Sequence, residues 1–248
     1  MVSLKKFKRI LILSGGISEE RDISQSSANH VYETIKNEGR TKILNVSDNA
    51  DQLLINIQKF NPDVIFNCLH GYFGEDGQIQ SILNYLKIPY THSGVLTSAI
   101  LMNKIISKKL FQSLGIRSPE FLSEYNINNK KLKFPLIIKP VNGGSSYGLI
   151  KINNKKLLNK YLNNKKINKS KMLIEEFIYG RELTVGILEN EICGIMEIKF
   201  SEEFYDYNNK YINIAEHIIS PKLPKKIRAL GDDFRTGLQP CQAVVAPD

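Results

Sequence analysis

Apolar runs alternate with longer amphipathic segments along the first 115 residues of the chain. The runs at 7–13, 42–46 and 63–69 predict strands, and the segments between and after them predict helices. Consecutive strands that are joined through a helix pair in parallel, because the helix carries the chain back across one face of the sheet. This part of the chain is therefore expected to form a parallel α/β sheet.

The ends of the helices are predicted from capping residues. In the segment 23–39, Ser24 is a candidate N-cap and Gly39 is a candidate C-terminal stop. Three further helices are expected, at 51–60, 78–86 and 97–115. A short strand and turn are expected at 88–94.

From residue 134 onward the pattern changes to β-rich runs joined by turns. These runs lie at 134–140, 148–152, 172–177, 182–188 and 192–200, with a helix between the second and the third. The pattern predicts an α+β arrangement with an antiparallel sheet, and at least a second domain. The segment 228–248 contains no Lys, Asn or Ile and predicts no strand. A shifted reading frame, a fused foreign segment, a truncation and an ordinary variable tail would each explain it.

The composition excludes several classes of protein. The net charge is +9, but the basic residues are mostly Lys scattered among Asn, without Arg-aromatic clusters, so nucleic-acid binding is not expected. The apolar run near the N-terminus is only ILIL, too short for a signal peptide or a membrane span, so a cytoplasmic protein without a membrane partner is expected. The three cysteines are widely separated and match neither a zinc pattern nor a disulfide framework.

A glycine-rich loop, KPVNGGSSYG at 139–148, lies between two apolar runs. Its backbone amides and serine hydroxyls could hold an anion, and Lys139 could meet a phosphate. Leu149 and Ile150 replace the Lys-Ser/Thr pair of a Walker A motif, which is therefore rejected. Considered alone, the loop favours a hairpin over a phosphate site.

Two polar segments follow predicted strands in the first half of the chain. In LSGGISEERDIS the acids Glu19, Glu20 and Asp22 would suit an ammonium group better than a phosphate, although acids in a first helical turn also interact favourably with the helix dipole. In LHGYFGEDGQIQ, His70 sits where α/β sheets place ligands, and the neighbouring Glu75-Asp76 pair is either a set of metal ligands or a plain turn.

A third polar segment, FYDYNNKY at 204–211, holds four aromatic rings, one acid and one lysine. Lys210 and Tyr211 could stabilise an anion and donate or relay a proton. The alternative is a surface loop that folds its rings onto the domain.

These segments occur together in the order known from one enzyme family. From Ile10 to Pro221 the chain resembles the D-alanine–D-alanine ligases of the ATP-grasp superfamily, through GGISEERDIS, LHGYFGEDGQIQ, IPYTHSGVLTSAILMNK, FPLIIKPVNGGSSYG, MLIEEFIYGRELTV and FYDYNNKY. The resemblance implies a Rossmann-like N-terminal domain followed by an ATP-grasp fold whose C-terminal part is incomplete. The implied boundaries are 1–102 for the N-terminal domain, 103–178 and 179–227 for the two ATP-grasp subdomains, and 228–248 for an atypical tail.

The resemblance also implies roles for individual residues. Glu20, Ser145 and Tyr211 would form a hydrogen-bonded catalytic triad at the first D-alanine, and His70 would line the same pocket. The residues implied in ATP binding are Lys104, Lys139, Ser146, Glu175, Glu176, Phe177, Ile178, Glu182 and Lys210. Among them, the two lysines Lys104 and Lys139 would contact phosphates, residues 175–178 would form the adenine hinge and Glu182 would face the ribose.

The implied reaction joins two D-alanines at the expense of ATP, for peptidoglycan precursor synthesis. The first carboxylate attacks the γ-phosphate to give an acyl phosphate, and the amine of the second D-alanine then displaces phosphate. Tyr211 favours D-alanine as the second substrate. Mg²⁺ is expected with ATP, and a homodimer is expected because relatives usually dimerise.

The sequence departs from the family pattern in one respect. Family members carry metal ligands in an Arg-x-Asp segment and in a Glu-x-Asn stretch before Pro-Gly, and neither is found here, so no metal ligand is assigned. Asp233-Phe234-Arg235 is too short a match to carry a role. The departure predicts little or no phosphate release, and it leaves two alternatives: an inactive ligase that still binds nucleotide or D-alanine, and an ATP-grasp ligase with another acceptor.

Overall fold

The computed structural model describes residues 7–122, 132–144, 147–166, 168–188, 191–199, 215–224 and 244–246. The chain divides into two compact units. The first unit comprises Met1–Ser118 and Val141–Gly144, and the second comprises Pro119–Pro140 and Ser145–Asp248. The finer division at 1–102, 103–178 and 179–227 stays a prediction.

The first unit is built on a parallel sheet of three strands in the order β2-β1-β3. Its strands are β1 (Arg9–Gly15), β2 (Arg40–Val46) and β3 (Val64–Asn67). Its helices are α1 (Arg21–Ile35), α2 (Ala50–Phe60), α3 (Gln78–Tyr85), α4 (Val95–Met102) and α5 (Lys104–Ser113). The parallel α/β prediction for this part of the chain is confirmed.

The central strand β1 is buried on both faces. Leu11 and Leu13 point into one apolar cluster, which includes residues of α2 and α3. Ile10 and Ile12 point into a second cluster, which includes residues of α1. This two-sided burial explains why the run ILIL is apolar throughout, as parallel strands covered by helices on both faces usually are.

The predicted ends of α1 are wrong. The helix begins at Arg21 with Glu20 at the N-cap position, and it ends at Ile35 with Lys36 as C-cap. Ser24 lies inside the helix and is fully buried, because its hydroxyl is used in tertiary hydrogen bonds instead of capping. Gly39 lies beyond the helix, immediately before β2, where a Cβ would meet the carbonyl oxygens of Phe7 and Lys8 at 3.0 Å.

The single long helix predicted at 97–115 is also wrong, because two helices, α4 and α5, occupy this region. Asn103 between them has an extended backbone (φ −88°, ψ 101°). Its side-chain oxygen accepts hydrogen bonds from the amides of Ile105 and Ile106, both at 3.1 Å. A local cap therefore interrupts an otherwise continuous helical pattern.

The described residues of the second unit form two antiparallel sheets. The first sheet, in the order β4-β7-β5-β6, is formed by β4 (Phe121–Leu122), β5 (Leu136–Pro140), β6 (Ile150–Ile152) and β7 (Met172–Glu176). Helix α6 (Lys155–Leu162) follows β6, and its Leu158 and Tyr161 join the core of this sheet. The prediction of a β-rich antiparallel region from residue 134 is confirmed.

The other sheet of the second unit has the order β10-β9-β8-β11. It consists of β8 (Arg181–Leu188), β9 (Glu191–Lys199), β10 (Glu216–Ile219) and β11 (Val244–Ala246). The prediction that 228–248 contains no strand is wrong at β11, which pairs with β8. Strand pairing depends on a distant partner, so a three-residue strand leaves no periodic signal in the sequence.

Candidate functional site

The carboxyl ends of β1 and β3 are joined through a buried serine. The hydroxyl of Ser24 accepts a hydrogen bond from the amide of Gly15 at 2.8 Å and donates one to the carbonyl of Cys68 at 2.7 Å. Burial raises the pKa of the Cys68 thiol to about 11, so this thiol is not a nucleophile at neutral pH. Ser24 thus fixes the edge of the sheet from which the candidate loops extend. The position of Ser24 in the sequence did not reveal this role.

Glu20 lies at the start of α1 and is 7% exposed. A Cβ placed on Gly71 would lie 3.0 Å from Glu20 Oε2, and a Cβ placed on Gly144 would lie 3.3 Å from the same oxygen. The two glycines therefore leave room for the carboxylate, and Gly71 has a positive φ of 65° that disfavours other residues. Three sequence motifs meet here: the acidic turn, the His70 loop and the first half of the glycine-rich loop.

His70 follows the end of β3, as the sequence predicts for a ligand-binding position. Its carbonyl accepts a hydrogen bond from the Ser18 hydroxyl at 2.7 Å, and its Nε2 lies 3.3 Å from Ser27 Oγ on α1. These contacts fix both the backbone and the ring of His70. Its neighbour Gly71 is the residue that faces Glu20.

Glu75 and Asp76 support the turn interpretation. Glu75 Oε2 accepts the amide of Gly71 at 2.8 Å, and Asp76 Oδ2 accepts the amide of Phe73 at 2.9 Å. Asp76 Oδ1 also accepts the amide of Gln78 at 3.1 Å, at the start of α3. Within the described residues, no group of three or more His, Cys, Asp or Glu side chains is placed to hold a metal ion.

Lys104 holds the beginning of the glycine-rich loop. Lys104 Nζ donates to the carbonyl of Gly143 at 2.6 Å and lies 3.5 Å from the carbonyl of Val141. The backbone amide of Lys104 also donates to the Val141 carbonyl, at 3.0 Å. On the other side of the break between helices, Met102 Sδ lies 3.2 Å from the amide of Gly143. The lysine implied to contact phosphate is therefore held directly against this loop.

In the second unit, the strands β5 and β7 bring Lys139 and Glu175 together. Their side chains form an ion pair, in which the lysine side chain is 25% exposed and the glutamate side chain 6%. Register pairs Lys139 with Leu173 and Ile137 with Glu175, so the two side chains start two residues apart on adjacent strands. A buried carboxylate with a cationic partner beside it forms a polar position on an apolar sheet.

The segment that follows β7 carries the residues expected to form the adenine hinge. Glu176 and Phe177 donate backbone hydrogen bonds to Glu120 and Pro135, both at 3.2 Å. The Phe177 ring packs edge-to-face on Tyr179, with centroids 4.8 Å apart, and Lys151 Nζ lies 4.5 Å from the Phe177 centroid. Lys151 and Tyr179 are contacts that the sequence did not single out.

The other two nucleotide candidates in this unit lie near the same strands. Ile178 follows Phe177 and is half-buried. Glu182 lies on β8, opposite Ile198 of β9. The structure therefore places residues 175–178 in one short segment and Glu182 near the start of the strand that comes next.

Two family models match the chain over separate stretches. The family model of the D-ala D-ala ligase N-terminus matches residues 45–93, and that of the D-ala D-ala ligase C-terminus matches residues 111–230. D-alanine–D-alanine ligase from Pelagibacter ubique (strain HTCC1062) is 44% identical over 229 residues, which cover 88% of this chain and 74% of that protein. The chain belongs to the D-alanine–D-alanine ligase family. The ligase from Wolbachia sp. subsp. Brugia malayi (strain TRS) is 41% identical and is covered over 70% of its length.

Solved structures of this ligase family share the fold. D-alanine–D-alanine ligase from Bacillus anthracis complexed with ATP superimposes with a TM-score of 0.71 at 27% identity, over 92% of this chain and 76% of that one. VanG D-Ala:D-Ser ligase from Enterococcus faecalis superimposes with a TM-score of 0.65 at 26% identity, over 91% of this chain and 80% of that one. The predicted Rossmann-like domain followed by an ATP-grasp fold is confirmed.

Four candidate residues of this ligase-family chain lie outside the described residues. They are Ser145, Ser146, Lys210 and Tyr211. Their roles stay predictions, as do those of the candidates whose positions are given above. In the part of the chain that is described, no helix is both long and apolar enough to cross a membrane.

Proposed function

We propose that this chain performs the reaction of its family, the ATP-dependent ligation of two D-alanines through an acyl phosphate, in peptidoglycan precursor synthesis and hence in maintaining cell shape. The observation that carries the proposal is the position of Glu20, whose carboxylate lies against both Gly71 and Gly144. An acid, a histidine loop and a glycine-rich loop that meet at one edge of a parallel sheet form a place where an amino acid and a phosphate could react.

On the amino-acid side, Glu20 would bind the ammonium group of the first D-alanine. The carboxylate is nearly buried, so its attraction for an ammonium group is screened less than it would be at the surface. His70 would line the same pocket, held in place by Ser18 and Ser27. Ser145 and Tyr211 would complete a hydrogen-bonded triad with Glu20.

On the nucleotide side, Lys104 and Lys139 would offset negative charge on the phosphates. Both lysines already lie beside oxygens of the protein, namely the Gly143 carbonyl and the Glu175 carboxylate, which limits how far each ammonium group can move. Fixed positive charge stabilises phosphoryl transfer because it needs no reorganisation during the reaction. Glu175, Glu176, Phe177 and Ile178 would contact adenine, while Glu182 would contact ribose, and Ser146 and Lys210 would contact phosphates.

In the reaction, the carboxylate of the first D-alanine attacks the γ-phosphorus and ADP leaves. The amine of the second D-alanine, after losing a proton, attacks the acyl carbon and inorganic phosphate leaves. Closing loops would exclude water, which would otherwise hydrolyse the acyl phosphate. Mg²⁺ is proposed to accompany ATP, although the described residues provide no cluster of three or more His, Cys, Asp or Glu side chains that would hold it. A cytoplasmic location, where ATP is available, and a homodimer are also proposed.

Binding and turnover test this proposal separately. In isothermal titration calorimetry, ATP is expected to bind saturably, and Lys139→Met is expected to weaken it at least several-fold because one phosphate-facing charge is lost. Lys160→Met is the matched control, since Lys160 lies on the outward face of α6. Failure of ATP to bind would contradict the proposal.

Turnover distinguishes the proposed reaction from its alternatives. The proposed reaction requires that D-alanine with ATP and Mg²⁺ give D-alanyl-D-alanine and one phosphate per dipeptide, that L-alanine give neither, and that Glu20→Gln abolish both. The missing metal-ligand segments instead predict little or no phosphate release. Saturable binding without dipeptide would instead support the inactive, ligand-binding alternative. Product only with D-serine or D-lactate as acceptor would support a ligase of other specificity.

A further inference from the structure

A buried polar cluster lies beneath the His70 loop, at the end of β3. Its centre is Asn67, which is 2% exposed and was not singled out from the sequence. Asn67 Oδ1 accepts the amide of Leu69 at 3.1 Å, and Asn67 Nδ2 donates to the carbonyl of Gly74 at 3.0 Å. One side chain therefore holds both sides of the loop that carries His70.

The loop has little freedom around this bracket. Gln80 Nε2, on α3, donates a second hydrogen bond to the Gly74 carbonyl at 2.8 Å. A Cβ at Gly74 would lie 2.6 Å from the backbone carbon and the Cβ of Leu69, so the two sides of the loop are in direct contact. Displacement of Asn67 would move Leu69 and Gly74, and His70 lies between them.

The contacts of Asn67 determine the state of His92. Because Oδ1 accepts from Leu69, the group that faces His92 is the amide NH₂, and its nitrogen lies 3.0 Å from His92 Nδ1. A donor at that distance requires Nδ1 to be an acceptor, so the ring is neutral with its proton on Nε2. Protonation of Nδ1 would place two donors against each other and remove this hydrogen bond.

The backbone around His92 is also tied to β3. Thr91 Oγ1 accepts the amide of Asn67 at 3.0 Å, and the Thr91 amide donates to Ile65 at 3.0 Å. His92 itself has a positive φ of 94°, a conformation that Asn adopts more readily than most residues. The ring is therefore presented to Asn67 by backbone that cannot easily shift away.

We propose that Asn67 and neutral His92 together position the His70 loop for D-alanine binding, and that protonation of His92 releases the loop. This inference rests on the proposed function, because it uses D-alanine as the ligand of the loop. Asn67 and His92 are positioning residues, since they act through His70 and Gly71.

The groups around His92 favour its neutral form. Desolvation of the ring, and secondarily the charge of nearby His70, lower the pKa of His92. Residues 88–92 contain one other ionisable side chain, Tyr90, while β3 and α4 contain none. The acids of the loop, Glu75 and Asp76, already accept hydrogen bonds from backbone amides. Release of the loop is therefore expected only below the ordinary titration range of histidine.

The first test is the pH dependence of D-alanine affinity, measured as KM if the chain turns over and as Kd by calorimetry if it does not. As the pH falls from 7.5 to below the ordinary titration range of histidine, the constant for D-alanine should rise about three- to ten-fold, as expected for the loss of one hydrogen bond, while the constant for ATP should change less. His92→Asn, which keeps an acceptor that cannot titrate, should flatten this rise to less than about two-fold.

Two further variants complete the comparison. Asn67→Asp, which replaces the amide donor by a carboxylate oxygen, should weaken D-alanine binding at every pH. His30→Asn removes an exposed histidine of α1 and should leave the native pH profile unchanged. A His92→Asn profile as steep as the native one would overturn the proposal.

A measurement without D-alanine separates this inference from the proposed function. Nitrogen-15 spectra of the histidine rings should show His92 in the Nε2–H form, and its titration should shift the amide resonances of Leu69 and Gly74. An Nδ1–H ring, or titration without those shifts, would overturn the proposal even if D-alanine binds. If the shifts occur and no D-alanine binds, the proposed function fails while the Asn67–His92 bracket stands.

Discussion

At the scale of single residues, Ser24 shows how a side chain with a familiar local role can be used in a tertiary one. Serine near the start of a helical segment is typical of an N-cap, because its hydroxyl satisfies a free amide of the first turn. In this chain the same hydroxyl bonds the amide of Gly15 and the carbonyl of Cys68. Both groups are buried, so neither could turn to water if Ser24 were lost.

Ser24→Ala is therefore expected to lower the free energy of unfolding by about 1–3 kcal/mol, because a buried donor and a buried acceptor lose their partner. Urea-induced unfolding followed by circular dichroism would measure this change. Ser26→Ala, at an exposed position of the same helix, should change the free energy by less than about 0.5 kcal/mol. Equal effects of the two substitutions would contradict the assigned role of Ser24.

At the scale of elements, the break between α4 and α5 positions Lys104. The helical periodicity of 97–115 is continuous, yet Asn103 caps α5 and leaves the backbone extended. As a result Lys104 is the first residue of a helix, and its amide donates to Val141 instead of to a preceding turn. The break thus links α5 to the glycine-rich loop.

Asn103→Ala should destabilise the first unit by about 1 kcal/mol through the loss of the cap. It should also loosen the loop at 141–144, which would appear as faster hydrogen exchange of the Lys104 amide. Asn84→Ala is the matched control, because Asn84 lies exposed inside α3, where alanine favours the helix. The interpretation fails if Asn103→Ala leaves exchange at Lys104 unchanged.

At the scale of the whole molecule, the second unit is stabilised by an ion pair that joins two neighbouring strands, and the same arginine also bonds a segment later in the chain. Arg181 Nε and Nη2 donate to the two oxygens of Glu197 at 2.8 and 2.7 Å, and Arg181 Nη1 donates to the carbonyl of Lys222 at 3.1 Å. The hydrogen bonds from Arg181 lower the pKa of Glu197. One guanidinium group therefore joins β8, β9 and the segment after β10.

The sign of the pH dependence follows from this shift. A carboxyl group with a lower pKa in the folded state binds fewer protons when folded, so its stabilising contribution is complete above its unfolded pKa and is lost as the pH falls below about 4.3. Glu197→Gln should cost about 1–3 kcal/mol at pH 7 and progressively less toward pH 3. Urea unfolding at several pH values would measure the difference, with exposed Glu216→Gln as the control. A difference that stays constant down to pH 3 would refute the coupling.

Much of the fold could be predicted from sequence, because it follows from short-range patterns. The run ILIL predicts a buried strand since every residue in it is apolar, and the change to β-rich runs at residue 134 predicts a different kind of sheet. The candidate residues Glu20, His70, Lys139 and Glu175 could also be named from the sequence, because they lie in motifs that resemble those of the family.

The tertiary structure alone decided which polar groups meet. Asn67 and His92 are far apart in sequence, and nothing in their local patterns predicts that an amide nitrogen of one lies 3.0 Å from the ring of the other. The same holds for Ser24 with Cys68 and for Lys104 with Gly143. Apolar periodicity determines which face of an element is buried, but hydrogen bonds between distant loops depend on how the elements pack. The sequence by itself thus determined the elements and the family, and the packing decided how the candidate site is held.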